Sequence, residues 1–243
     1  MVERVMGTVV SLDIRAGEPD PAVVEAALAS LHEADARFST YRDDSEVRRL
    51  DRGELTSVSP DLLWVLERCA ALRRETGGYF DARATGQLDP SALVKGWAAQ
   101  RAADILHAGG LTDFCLSTGG DVITRGSALP ERGWRVGIQH PHERGAVAAR
   151  LRVHDLAIAT SGTYERGSHI TNPRTGTAPS GVLSVTVCGA DLGTADAYST
   201  AAFAMGVDGP AWTLGLAGYE AMTILADGTV LSTPGFPLLE DDE

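Results

Sequence analysis

Apolar and polar positions along the chain alternate between two periods. The segment "VMGTVVSLDIR" (5–15) carries β-branched residues and reads as a strand. "DPAVVEAALASLHEADARFS" (20–39) has Pro21 near its start and apolar residues at helical spacing. "SPDLLWVLERCAALRRETGG" (59–78) is a second helix, with Ser59 as N-cap, Pro60 at the first helical position and Gly77–Gly78 at its end. "SALVKGWAAQRAADILHAGG" (91–110) is a third, closed by Gly109–Gly110. From Phe114 to Ala159 the pattern turns to strands: "FCLST", "WRVGIQ", "VAARLRV" and "LAIAT". A polar loop runs from Gly162 to Gly181, and "VLSVTVCG" (182–189) is a buried strand. A helix of small and apolar residues follows (193–206), then a last helix in "GPAWTLGLAG". "AMTILADGTVLST" forms a hairpin turning at Asp227–Gly228. Helices separated by runs of hairpin-joined strands predict an α+β fold with a mainly antiparallel sheet. There is no repeat, low-complexity linker or composition break. The chain therefore reads as one domain over 1–243, or as two lobes with a site between them.

Composition narrows the function classes. With 44% hydrophobic and 22% charged residues, the 243-residue chain is an ordinary globular protein with room for a real core. A net charge of −12 argues against a nucleic-acid partner, because no basic patch is available to neutralise phosphates. Cys69, Cys115 and Cys188 are far apart and form no CxxC, so they predict buried apolar residues rather than disulfides or a zinc site. No stretch is apolar and long enough to span a bilayer, and the N-terminus does not read as a signal peptide. Both points lead to the expectation of a cytoplasmic protein.

Five polar or Gly-rich stretches interrupt the pattern. "RFSTYRDDSEV" holds Tyr41, which suits the core and a ligand wall equally. "GGYFDARATGQLDPSALVKGWA" holds Asp81, Asp89 and Lys95, with Gly96 inside a helical pattern at a cost of about 1 kcal/mol against Ala. Close packing on another helix accounts for Gly96 as readily as a ligand does. "STGGDV" (117–122) has neither GxGxxG nor P-loop spacing, and Gly-Gly after a strand is ordinarily a turn. "SGTYERGSHITNPRTG" (161–176) holds His169 and Arg174, and no GxSxG elbow exists for a nucleophilic serine.

The fifth stretch, "GTADAYSTAAFAMG", sets Asp196 four residues before Thr200, on one face of a helix. With Thr194 as N-cap, Asp196 falls in the first turn, where the macrodipole alone would justify an acid. That reading leaves Thr200 unexplained. A carboxylate and a hydroxyl oxygen together suit a hard cation such as Mg²⁺.

Taken together, these stretches resemble the ApbE family of FAD:protein FMN transferases. The resemblance is carried in order by "MGT" (6–8), "STYRDDSEV", "GGYFD", "LDPSALVKGWA", "GGDV", "SGTYERGSHITNPRTG" and "TADAYSTAAFAMG". It implies an ApbE-like, T-fold-related architecture and a Mg²⁺-dependent reaction. FAD is cleaved at its pyrophosphate, FMN goes to a Thr or Ser hydroxyl of an acceptor protein, and AMP leaves. It also implies metal ligation by Asp196, Thr200 and the backbone carbonyl of Ala92. Flavin contacts are implied for Met6, Tyr41, Tyr79, Phe80, Asp81, Asp89, Lys95 and Ile170, with His169 and Arg174 beside the site. Gly119 and Gly120 would let backbone approach the ring. His169 and Asp81 are the candidate bases for the acceptor hydroxyl, and Lys95 could add positive charge. Three positions depart from the family pattern: the stretch between Asp81 and Asp89 is short, Ser117 replaces Asn, and Asn172 replaces Asp. Two other readings stand beside transfer: Mg²⁺-dependent hydrolysis of FAD to FMN and AMP, and a flavin-binding protein without turnover.

Overall fold

The computed structural model describes residues 1–16, 19–129, 132–143, 145–162 and 170–239. In chain order its strands are β1 (Val2–Val5), β2 (Thr8–Ile14), β3 (Phe114–Thr118), β4 (Asp121–Arg125), β5 (Trp134–Gln139), β6 (Val147–Val153), β7 (Ala157–Gly162), β8 (Val182–Gly189), β9 (Tyr219–Leu225) and β10 (Val230–Ser232). The helices are α1 (Pro21–Phe38), α2 (Glu46–Asp51), α3 (Pro60–Glu75), α4 (Ser91–Ala108), α5 (Leu192–Met205) and the short α6 (Gly209–Thr213). Among the described residues, eight strands pair antiparallel in the order β1-β2-β3-β4-β7-β8-β9-β10, and β5 pairs with β6 as a separate hairpin. The α+β class with a mainly antiparallel sheet is therefore as expected.

Alternation along the central strands explains the layering. Ala157 and Ala159 of β7, Val185 and Val187 of β8 and Ala221 of β9 face the helices. Ile158, Cys188 and Met222, one residue out of phase, face the other side, where Trp134, Leu151 and Phe236 cover them. On the helical side, α1 buries Val24, Ala27, Leu31, Ala34 and Phe38, a three-four spacing that makes one apolar stripe. Asp20 and Ser59 cap α1 and α3, each followed by Pro at the first turn. Helix α5 is apolar nearly all round, which suits its place between the sheet and α4.

The local differences from the sequence reading have physical causes. The strand expected over 5–15 is a hairpin, turned at Met6 and Gly7 with φ of 55° and 67°. Two residues with φ > 0 make the tight turn that matches strand twist, and Met6 occupies it despite its side chain. β4 begins immediately after Gly119–Gly120, a second turn of the same kind with φ of 53° and 90°. Helix α2 begins at the end of a stretch read only as polar and runs beyond it; Ser45 caps it, accepting from Arg48 N–H at 3.2 Å. The last helix is shorter than expected and stops at Thr213. Helix α5 starts at Leu192, capped by Asp191 rather than Thr194. Cys69 and Cys188 are buried as expected, and Cys115 is half-buried. No described helix is long and apolar enough to cross a membrane.

Candidate functional site

The two tight turns meet at one end of the sheet. Gly119 N–H donates to Val9 O at 3.3 Å, and a Cβ on Gly119 would fall 2.7 Å from Thr8 Oγ1. A side chain is thus excluded there by contact as well as by φ. This pair of turns forms one wall of a cavity of ≈ 300 Å³, with Met6, Gly7 and Gly119 on it. The start of α4 supplies Ala92 and Lys95, α5 supplies Asp196 and Thr200, and the 79–89 segment supplies Tyr79, Phe80, Asp81 and Asp89. Ile170, Thr171 and Pro173 close the far side.

A close helix crossing brings α4 and α5 to this point. Gly96 packs directly on the first turn of α5, where a Cβ would lie 2.5 Å from Leu192 O. The absent side chain at Gly96 is therefore a packing requirement. Because α5 begins at Leu192, Asp196 lies past its first turn, and capping does not account for it. Only 3% of Asp196 is exposed, and among the described residues its Oδ2 has no hydrogen-bond partner. Burial pushes its carboxyl up to about 7; the Lys95 ammonium opposes that rise and the charge of Asp121 adds to it. The ammonium is 3.6 Å from Asp196 Oδ2 and forms a closer ion pair with Asp121. Asp121 is fully buried, and its Oδ1 accepts from Thr160 N–H at 3.2 Å.

A line of hydroxyls runs beside this charge cluster. Thr200 Oγ1 shares a hydrogen bond with Ser161 Oγ at 3.3 Å, and Ser161 with Ser199 at 2.9 Å. Ser199 in turn donates to Asp196 O at 2.9 Å. The Thr200 hydroxyl is thereby oriented from behind while it lines the cavity. Among the described residues no three His, Cys, Asp or Glu side chains cluster as a metal site would. What the cavity offers a cation is a mixed set: a buried carboxylate oxygen that no described residue hydrogen-bonds and a hydroxyl, with Ala92 lining the same space. Hard oxygen donors with room left for further ligands fit Mg²⁺ rather than a softer metal.

The other expected site residues divide into several groups. Tyr79, Phe80, Met6 and Ile170 form an apolar and aromatic wall. Tyr41 is 97% exposed and stands at the rim, so it is not a core residue. The Asp81 carboxylate is occupied: Arg73 Nε is 3.0 Å from one oxygen, and Arg83 N–H donates to the other at 2.8 Å. Asp89 holds the entry to α4, accepting from Ser91 N–H at 3.0 Å. The short stretch between them folds back through Asp89 N–H to Ala82 O at 2.7 Å, and its Ala82, Ala84 and Thr85 face the cavity. Gly120 belongs to the second turn but does not line the cavity. The Arg174 guanidinium carbon lies over the Tyr79 ring, 4.2 Å from its centroid, and Arg174 donates to Gly77 O at 2.5 Å. His169 lies outside the described residues.

Sequence reasoning passed over Asp121 and Ser161. In "GGDV" the glycines account for a turn, and Asp121 reads as part of it. The available signal was an acid opening a β-rich segment with no turn left for it to cap. Nothing in the sequence marks Ser161.

The model of the ApbE family matches residues 6–85 and 82–223. A FAD:protein FMN transferase of Rhodobacter capsulatus is 36% identical over 61% of this chain and 30% of its own length. One from Vibrio cholerae is 27% identical over 72% of this chain and 71% of its own. One from Treponema pallidum is 33% identical over 63% and 48%. The chain thus spans less than half of the Rhodobacter and Treponema proteins. Among solved structures, the ApbE protein of Thermotoga maritima superposes with a TM-score of 0.86 at 23% identity, covering 96% of both chains. The flavin transferase ApbE from Vibrio cholerae gives 0.85 at 24% identity, covering 97% of both. At that identity these two likenesses speak for the fold.

Proposed function

This chain belongs to the ApbE family, and we propose that it transfers FMN from FAD to a Thr or Ser hydroxyl of an acceptor protein, with Mg²⁺, releasing AMP. One observation carries the reading. The Asp196 carboxylate, with an oxygen that no described group hydrogen-bonds, shares a cavity with Thr200, Ala92 and an aromatic wall. The names of the relatives supply the reaction class.

Roles follow from chemistry. Asp196, Thr200 and the Ala92 carbonyl would hold the Mg²⁺, which when bound offsets charge on the diphosphate. Ser161 fixes the Thr200 hydroxyl so that a lone pair faces the cavity. Tyr79, Phe80, Met6 and Ile170 suit the flat isoalloxazine ring. Lys95 adds positive charge next to the phosphates. His169 and Asp81 are the candidate bases for the acceptor hydroxyl, and Asp81 is already held by Arg73 and the Arg83 N–H.

The test is mass spectrometry of candidate acceptors incubated with this chain, FAD and Mg²⁺. An FMN-sized addition is expected, absent without metal and absent with Asp196→Ala while circular dichroism shows the variant folded. Undiminished labelling by that variant overturns the assignment. Stoichiometric AMP release without any acceptor would instead mark a FAD hydrolase.

A further inference from the structure

We propose that Lys95, held by Asp121, is the resident counter-cation of the divalent-metal site and competes with the metal for Asp196; this rests on the metal reading above. Three observations carry it. The Lys95 ammonium is ion-paired with Asp121 and stands 3.6 Å from Asp196 Oδ2. That oxygen is buried and has no hydrogen-bond partner among the described residues. Asp121 is fully buried and tied at its other oxygen to the Thr160 amide of β7.

Asp121 is therefore the fixed end of the pair, and Lys95, on its flexible stem, is the end that moves. One ammonium beside two buried carboxylates offsets one of their two negative charges, where two bare carboxylates would be costlier. A divalent ion beside Asp196 repels the ammonium, which shifts wholly onto Asp121. Asp121 is in this sense a positioning residue: it sets how strongly Lys95 resists the metal.

Opposite signs for two variants test this, with Mn²⁺ alone as the probe and no flavin present. Affinity is read by calorimetry and by the rise in Tm. Lys95→Met should lower the Tm of the metal-free protein yet bind Mn²⁺ at least about fivefold tighter than wild type. Asp121→Asn removes the charge that draws Lys95 away from Asp196, and should bind Mn²⁺ at least about fivefold more weakly. Should Lys95→Met fail to fold, Asp121→Asn, nearly the same shape, decides the matter alone. Wild-type Mn²⁺ affinity in Asp121→Asn overturns the proposal and leaves the metal reading standing. A wild-type protein that ignores Mn²⁺ overturns both.

Discussion

Gly96 of α4 and Gly193 of α5 meet backbone against backbone: a Cβ built on Gly96 would lie 2.9 Å from Gly193 Cα. That contact decides where the cavity oxygens are. Ala92 lies one turn before it on α4, and Asp196 and Thr200 follow it on α5. Gly96→Ala should therefore act against helix propensity, which by itself favours Ala by about 1 kcal/mol. The atoms in the way are main chain and have little freedom to yield, so we expect net destabilisation of about 1–3 kcal/mol in urea unfolding. FMN transfer should fall further than the unfolded fraction explains, because Ala92 and Asp196 are pushed apart. A variant as stable as wild type would show that the crossing is not tight.

Arg174 joins the two sides of the cavity mouth. Its guanidinium stacks on Tyr79 and donates to Gly77 O, linking the Thr171–Pro173 side to the aromatic wall. Exposed cation–π contacts contribute about 0.5–1 kcal/mol, and the hydrogen bond adds to that. Arg174→Ala should raise the KM for FAD by roughly three- to tenfold with a smaller change in kcat. Arg174→Lys keeps the charge but loses the flat stack and one of the donors, so it should recover only part of the loss. Steady-state kinetics on FAD at saturating acceptor checks both. An unchanged KM in Arg174→Ala would mean that the contact does not shape the bound state.

The parts of this molecule that local chemistry dictates were legible, and those set by distant partners were not. Ser59–Pro60 and Pro21 announce α3 and α1 because caps and fixed φ act within a few residues. Asp227–Gly228 announces the β9–β10 hairpin for the same reason. Met6–Gly7 carries no such signal, since Met is a poor choice for φ > 0, and valines run on both sides of it. Lys95 and Asp121 are 26 positions apart, and Arg174 and Gly77 are 97 apart, so only the fold brings them together. Asp196 and Thr200 were found because four-residue spacing is itself a helical property. The burial that leaves Asp196 Oδ2 without a hydrogen bond from any described residue belongs to the tertiary structure.

The cysteines give a pH dependence of known sign. Burial pushes the Cys69 and Cys188 thiols up to about 12 and Cys115 to about 11, from an ordinary value of 9.0. The folded chain thus keeps these protons at pH values where the unfolded chain has released them. Stability from this source is fully present below about pH 9 and is lost as pH rises from there towards 11–12. At pH 8 the thiolate fraction should be lower than in the unfolded chain by on the order of a hundredfold to a thousandfold. Labelling with a thiol reagent should accordingly be slow in buffer and fast for all three in guanidinium. A fast-reacting thiol in the native protein would contradict the burial of these groups.

The start of α5 can be assigned by two substitutions. Asp191 and Thr194 are both residue types that cap helices, and they are three positions apart, so the sequence alone allows either. In the fold, Asp191 Oδ1 accepts from Thr194 N–H at 2.7 Å, as a cap does two to three residues ahead of its partner. Thr194 is already inside the helix, and its Oγ1 meets Arg68 Nη2 at 3.4 Å, a long and weak contact. Asp191→Ala should therefore cost about 1 kcal/mol, and Thr194→Ala distinctly less. The comparison matters for the site because it fixes the position of Asp196 within the helix. Were Thr194 the cap, Asp196 would sit in the first turn and be explained by the macrodipole without any ligand. Equal or reversed costs in thermal unfolding would restore that explanation and remove one support of the metal reading.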